Sequence, residues 1–232
     1  MFTQMTPGSR AQGVVDGSPM LLVGLTGNIA SGKSSVARLL AAHGATIVDA
    51  DLLAREVVQP GQPALERIVA LWGDEMLNPD GTLDRAALRQ RVFGHQAELD
   101  ALNEIVHPEV ADLSGRRVDE ARERGDPIVV YDVPLLFERK LTEQFDCIVL
   151  VDAPRPVRLE RLVRDRELHE AEAMKMIAAQ MPAELKRARA DFVIDNVGTR
   201  EELAAEVSRV WAALEREKGA TISSHSPQRV LS

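Results

Sequence analysis

The feature that most restricts the fold of this chain is the octapeptide Gly27-Asn28-Ile29-Ala30-Ser31-Gly32-Lys33-Ser34, set between an apolar run and an amphipathic segment. The run Met20-Leu21-Leu22-Val23-Gly24-Leu25 has strand length, and Ser34 to Ala42 has helical periodicity. Strand, glycine-rich loop and helix therefore follow one another in the order that a phosphate-binding loop requires, and the octapeptide fits G-x-x-x-x-G-K-[ST] at every fixed position. Its glycines let successive N–H groups turn inward around phosphate oxygens, its Lys reaches the β and γ phosphates, and its hydroxyl ligates Mg²⁺. The helix adds its unpaired N-terminal N–H groups and positive end to the same anion. Gly27, Asn28, Ile29, Ala30, Ser31, Gly32, Lys33, Ser34 and Ser35 are thus candidate contacts for a nucleoside triphosphate. The competing reading is a turn that binds nothing.

A length of 232 residues accommodates one large α/β domain, with or without insertions. Short β-branched runs alternate with longer helical patterns, the mark of a mainly parallel sheet covered on both faces. Five strands are predicted, at Leu21–Leu25, Thr46–Asp49, Pro127–Asp132, Cys147–Asp152 and Phe192–Asp195. The second and third are about eighty residues apart, too far for one crossover, so a helical insertion is expected between them. Its helices are predicted at Asp51–Val58, Ala64–Trp72, Asp84–Phe93, Gln96–Ile105 and Pro108–Arg124, and two more at Val157–Arg166 and Glu170–Ala179. Met1 to Ser18 and the tail from Glu217 lack periodicity and are expected to be disordered.

The one cysteine, Cys147, excludes an intrachain disulfide and a cysteine zinc site, and reads as a small buried hydrophobe. No secretory signal or bilayer-spanning run is evident, which makes a cytoplasmic enzyme with no membrane partner the default. A net charge of −8 without a basic block argues against nucleic acid as a partner. Nothing in the pattern fixes an oligomeric state.

Ligands of open α/β sheets bind beyond the C-terminal strand edges, so acidic residues there are suspects. The second strand ends in Asp49-Ala50-Asp51. Asp51 is either the carboxylate that orients an acceptor hydroxyl and takes its proton, or a helix N-cap. Asp132, at the end of the third strand, either acts on Mg²⁺ or anchors its loop. Leu135, just beyond, is a candidate floor of an acceptor pocket or simple core. Arg158, Arg161 and Arg164 recur every three residues along one expected helical stripe, either a solvated face or a lid that closes over a transferring phosphoryl group.

Taken together, Gly27 to Ser34, Asp49-Ala50-Asp51 with Ala54-Arg55-Glu56-Val57-Val58, Gly81-Thr82-Leu83-Asp84-Arg85, His107-Pro108, Val133-Pro134-Leu135-Leu136, Ile177-Ala178-Ala179-Gln180 and Asp195-Asn196 resemble dephospho-coenzyme A kinases in order and spacing, over about residues 20 to 213. The resemblance implies a P-loop fold with a five-stranded parallel sheet, and transfer of the ATP γ-phosphoryl group to the ribose 3′-hydroxyl of dephospho-coenzyme A. It implies three parts: a nucleotide core (19–50, 126–154 and 188–216), a substrate-binding insertion (51–125) and a lid (155–187). By the same resemblance Lys33 holds the β and γ phosphates, Ser34 serves Mg²⁺, Asp51 is the base, and Arg161 stabilises the transferring group, with Asp132 still open between a second Mg²⁺ residue and a loop anchor. Arg55, Arg85 and His107 fall in or near the substrate insertion, beside the candidate pocket floor Leu135, with His107 also readable as a structural residue at a helix start. The alternative is another P-loop small-molecule or nucleoside monophosphate kinase. Two departures stand out, because the family usually has Gly at positions 28 and 30 and often Thr at 35. Asn tolerates left-handed angles, whereas Ala30 is strained if its φ is positive.

Overall fold

The computed structural model describes residues 20–224, so the expected N-terminal extension lies outside the described residues, as does the tail beyond Ser224. The sheet is parallel throughout, in the order β2-β3-β1-β4-β5. Its strands are β1 (Leu21–Gly27), β2 (Thr46–Asp49), β3 (Ile128–Asp132), β4 (Cys147–Asp152) and β5 (Phe192–Asp195). All five lie where the apolar runs place them. β1 is central, flanked by β3 and β4, and the reversal of strand order there opens a crevice at the C-terminal end of β1.

Alternation along β1 explains how the two faces are filled. Val23 and Leu25 point to one face, where α1 (Lys33–Ala42) contributes Val36 and Leu40 and α9 (Arg200–Ser224) contributes Leu203, Val207, Val210 and Leu214. Gly24 points to the other, and a Cβ there would lie 2.7 Å from Leu136 Cδ1 and 2.9 Å from the Phe145 ring. Glycine therefore allows the loop after β3 to lie directly on the central strand.

Between β2 and β3 run α2 (Ala50–Glu56), α3 (Pro63–Trp72), α4 (Arg85–Val92) and α5 (Gln96–Glu123). They bury a cluster of their own around Val57, Leu65, Ile68, Trp72, Met76 and Ile105. The Asp84 carboxylate caps α4, accepting from the Ala86 and Ala87 N–H groups at 2.9 and 3.0 Å. After β4 come α6 (Arg155–Arg166), α7 (Glu170–Ala178) and α8 (Ala183–Arg187), the last too short to leave a periodic pattern.

Three expectations need correcting. The two helices expected on either side of His107-Pro108 are one, α5, with Pro108 inside it. Proline removes one N–H and crowds the carbonyl four residues back. The helix continues because Ile105 and Val106 before the proline and Val110, Leu113, Val118 and Ala121 after it are held in adjoining clusters. His107 consequently sits mid-helix rather than at a helix start. The last helix also runs through Gly219 to Ser224 instead of ending before Glu217. Extending a long helix by one residue is far easier than nucleating one, which outweighs the ~1 kcal/mol penalty of a glycine. Finally, α2 is capped by Asp49, whose carboxylate accepts from the Asp51 and Leu52 N–H groups at 2.8 and 3.1 Å. Asp51 lies inside the first turn and is exposed.

Candidate active site

The turn after β1 is shaped by close contacts as much as by glycine's freedom. A Cβ at position 27 would lie 2.6 Å from both Ser31 Oγ and the Val151 carbonyl. Gly32 has φ 94°, and a Cβ there would lie 2.0 Å from Asn196 Nδ2. Gly32 gives α1 no side-chain cap, so the helix presents its first N–H groups to the cavity in front of it. Ala30 does adopt a left-handed conformation, with φ 59°, where a Cβ costs about 1–2 kcal/mol.

Side chains from distant segments hold this loop. Asn196, following β5, donates from Nδ2 to the Ser31 carbonyl at 2.7 Å. Arg161 on α6 donates to the carbonyls of Ala30, Ser31 and Asn196 at 3.2, 3.3 and 2.9 Å. The Gln180 Oε1 accepts from the Ile29 N–H at 2.8 Å. The Lys33 ammonium forms an ion pair with the Asp132 carboxylate, which is almost wholly buried. Burial pushes the Asp132 carboxyl up, Lys33 opposes this, and nearby Asp49 and Asp51 add to the rise, so it stays above the ordinary carboxylate range.

The loop from Gly27 to Ser35 lines a cavity of about 650 Å³, closed on its other sides by Asp51, Pro134, Arg161, Arg166 and Arg200 among others. Asp51 and Pro134 also line a second cavity of about 320 Å³, walled by Val58, Ile68, Leu88 and other apolar groups of the insertion. Arg85, His107, Leu135 and Arg139 line that cavity as well. Partial burial, and then the Arg139 guanidinium, hold the His107 imidazole below its usual pKa. The exposed Asp51 carboxylate thus stands where an anion-binding cavity meets a largely apolar, cationic one. That arrangement suits moving a phosphoryl group from a ligand in the first to a ligand in the second.

Most candidates from the sequence meet here, with two exceptions. Arg55 is exposed on α2 and lines neither cavity. The arginine stripe does not act as one face, because a three-residue step advances only about 300° around a helix. Arg158 is buried and donates from Nε to the Ala153 carbonyl at 3.0 Å, while Arg164 pairs outward with Glu160 and Asp165. Only Arg161 of the three reaches the loop. Arg139, Arg166 and Arg200 carry no sequence pattern that singles them out. Gln180 and Asn196 stand within the matched segments, but the bonds they make to the loop need partners some 150 residues away.

The dephospho-CoA kinase family model matches residues 21–202. A dephospho-CoA kinase of Thermobifida fusca is 52% identical over 197 residues, covering 85% of this chain and 98% of that protein. The chain belongs to the dephospho-CoA kinase family. A dephospho-CoA kinase of Corynebacterium glutamicum is 46% identical over 84% of this chain and 98% of its own. A crystal structure of a Thermus thermophilus protein superposes with a TM-score of 0.70 at 36% identity, over 84% of this chain and 98% of that one. The Campylobacter jejuni dephospho-CoA kinase, at 20% identity, has the same fold with a TM-score of 0.63 over 85% of this chain and 98% of its own.

Proposed function

We propose that this protein transfers the γ-phosphoryl group of ATP to the ribose 3′-hydroxyl of dephospho-coenzyme A, giving coenzyme A and ADP. The observation that carries this reading is the placement of Asp51 on the shared wall of the two cavities. The acceptor is a nucleotide diphosphate with a long, largely neutral arm. It needs cations for the diphosphate and apolar surface for the arm, and the second cavity offers Arg85, Arg139 and His107 beside the side chains of α2 to α5. This supports residues 51–125 as the acceptor-binding insertion, and Arg161 and Arg166 in the wall of the first cavity support 155–187 as the lid.

Lys33 and the N–H groups at the start of α1 hold the β and γ phosphates, and Arg161 neutralises charge that spreads over the transferring group. Asp51 orients the acceptor hydroxyl and accepts its proton. Ser34, with Asp132 beside it, would hold Mg²⁺, which would supply neutralisation of the phosphate charge. The oxygen donors suit it, since Ser34, Asp49 and Asp132 line one surface beside the loop, and oxygen ligands are what this cation prefers. Among the described residues no cluster of three or more His, Cys, Asp or Glu could hold a metal alone, and magnesium in kinases usually relies on one or two protein oxygens plus phosphates. No described helix is long and apolar enough to cross a membrane, and we assign the enzyme to the cytoplasm, acting on small molecules without a nucleic-acid partner.

A coupled assay of ADP release tests the assignment. Dephospho-coenzyme A should stimulate turnover strongly, and AMP, shikimate and gluconate weakly or not at all. Equal or greater stimulation by AMP would overturn it in favour of a nucleoside monophosphate kinase.

A further inference from the structure

Lys186, in the five-residue helix α8, is fully buried, and its ammonium meets one carboxylate, Glu138, at 2.8 Å. The pair is a poor device for stability. A fully buried ammonium is held by a single contact to a carboxylate that is itself half-buried, and Glu138 Oε2 is buried without a hydrogen-bond partner. Buried ion pairs of this kind roughly break even with apolar replacements of similar volume. Burial raises the Glu138 carboxyl, but the Lys186 ammonium and two backbone N–H groups outweigh it and hold the carboxyl below its usual range.

Geometry gives the pair a different use. The same oxygen that meets Lys186, Oε1, accepts the Met181 N–H at 3.2 Å. The Met181 carbonyl in turn accepts from Asn28 Nδ2 at 3.5 Å, and the adjacent Gln180 takes the Ile29 N–H at 2.8 Å. Residues 180 and 181 are therefore bonded to the phosphate-binding loop on one side and to Glu138 on the other. Glu138 itself follows Leu135 and precedes Arg139, both in the wall of the acceptor cavity. Gln180 lines the nucleotide cavity.

We propose that Glu138 and Lys186 are positioning residues that fix the 180–181 segment against the phosphate-binding loop, and through it set the loop's shape for the nucleotide. The proposal rests on the kinase reading only for the direction of its kinetic effect. Lys186 orients Glu138, Glu138 anchors the Met181 N–H, and Gln180 then occupies the Ile29 N–H. Without that anchor Gln180 is free to leave, and the Ile29 N–H is released to compete for other acceptors.

Two double variants test this. Glu138→Leu with Lys186→Met removes both charges at similar volume and leaves Met181 without an acceptor. Glu138→Gln with Lys186→Met removes the charges but keeps an amide oxygen for Met181. The Leu/Met protein is expected to melt near the parent temperature, yet to bind ATP at least tenfold more weakly by calorimetry and to lose at least tenfold in kcat/KM for ATP. The Gln/Met protein is expected to recover both in part, because the amide oxygen again serves Met181 but is no longer oriented by Lys186. Parent-like ATP affinity in the Leu/Met protein overturns the proposal, as does a Gln/Met protein no better than Leu/Met. A Leu/Met protein that fails to fold also overturns it, because the pair would then serve stability. ATP affinity is measured without acceptor, so an error in the acceptor assignment, visible as an inactive parent, leaves this result readable.

Discussion

At the residue scale, the shift of the helix cap from Asp51 to Asp49 changes what substitutions should do. Asp51 supports no backbone group as a cap, so Asp51→Asn and Asp51→Ala should both leave stability within about 0.5 kcal/mol of the parent. Both should lower kcat by roughly 10²-fold, the lower end of general-base effects, because phosphoryl transfer depends mainly on positioning. Asp49→Ala should instead cost about 1 kcal/mol, the usual cost of losing a cap. Urea denaturation and steady-state kinetics on the three proteins separate the roles, and parent-like turnover in Asp51→Asn removes Asp51 as base. Arg139 has its own signature. Arg139→Gln should raise KM for dephospho-coenzyme A about tenfold with kcat little changed, the expected loss of a charge-assisted contact made equally in ground and transition states. It should also move the His107 titration upward toward the ordinary 6.5, since Arg139 disfavours the imidazolium while burial persists. An NMR titration of the imidazole reads that shift directly, and an unmoved titration breaks the link between the two residues. Local patterns made Lys33, Ser34 and Asp51 visible because loop chemistry and strand ends are written in adjacent residues. Arg139 could not be seen that way, since an arginine on a loop has no periodicity and acquires meaning only from the cavity it faces.

At the element scale, the strands were legible because each is a short apolar run, with β3 and β4 rich in β-branched residues and buried on both faces. Helix ends were less so. Asp84 declares itself by capping chemistry, whereas Pro108 signals a break that packing on both sides overrides. The short helix α8 left no pattern, yet it carries Lys186, so the sequence concealed both the element and its use. The depressed Glu138 carboxyl gives this region a pH signature. A carboxyl held below its unfolded value of 4.5 contributes stability that is full above that pH and is lost as pH falls through the native value. Urea midpoints measured from about pH 5 down to about pH 3 should therefore fall more steeply in the parent than in the Glu138→Leu, Lys186→Met protein. Equal slopes would show that Glu138 takes no part in acid unfolding.

On the scale of the whole molecule, the parallel sheet hides its centre from solvent, and Cys147 reports on it. Burial first, and then nearby Asp191, Asp146 and Glu217, push its thiol up to about 12. At about pH 8 a free cysteine alkylates readily, but this one should stay unmodified by iodoacetamide until the protein is unfolded in denaturant. Fast native labelling, followed by mass spectrometry, would show that β4 opens locally. The strand order has another consequence, one for the order of synthesis. β1 touches β3 and β4 but not β2, so for more than a hundred residues after β1 leaves the ribosome it has no neighbouring strand to pair with. The loop that follows it waits longer still, because Asn196, which grips the Ser31 carbonyl, is made 165 residues after Ser31. A nascent chain cut before Asp191 should therefore fail to retain ATP, however complete its octapeptide. The motif becomes a working part only once β5 and Asn196 have been made.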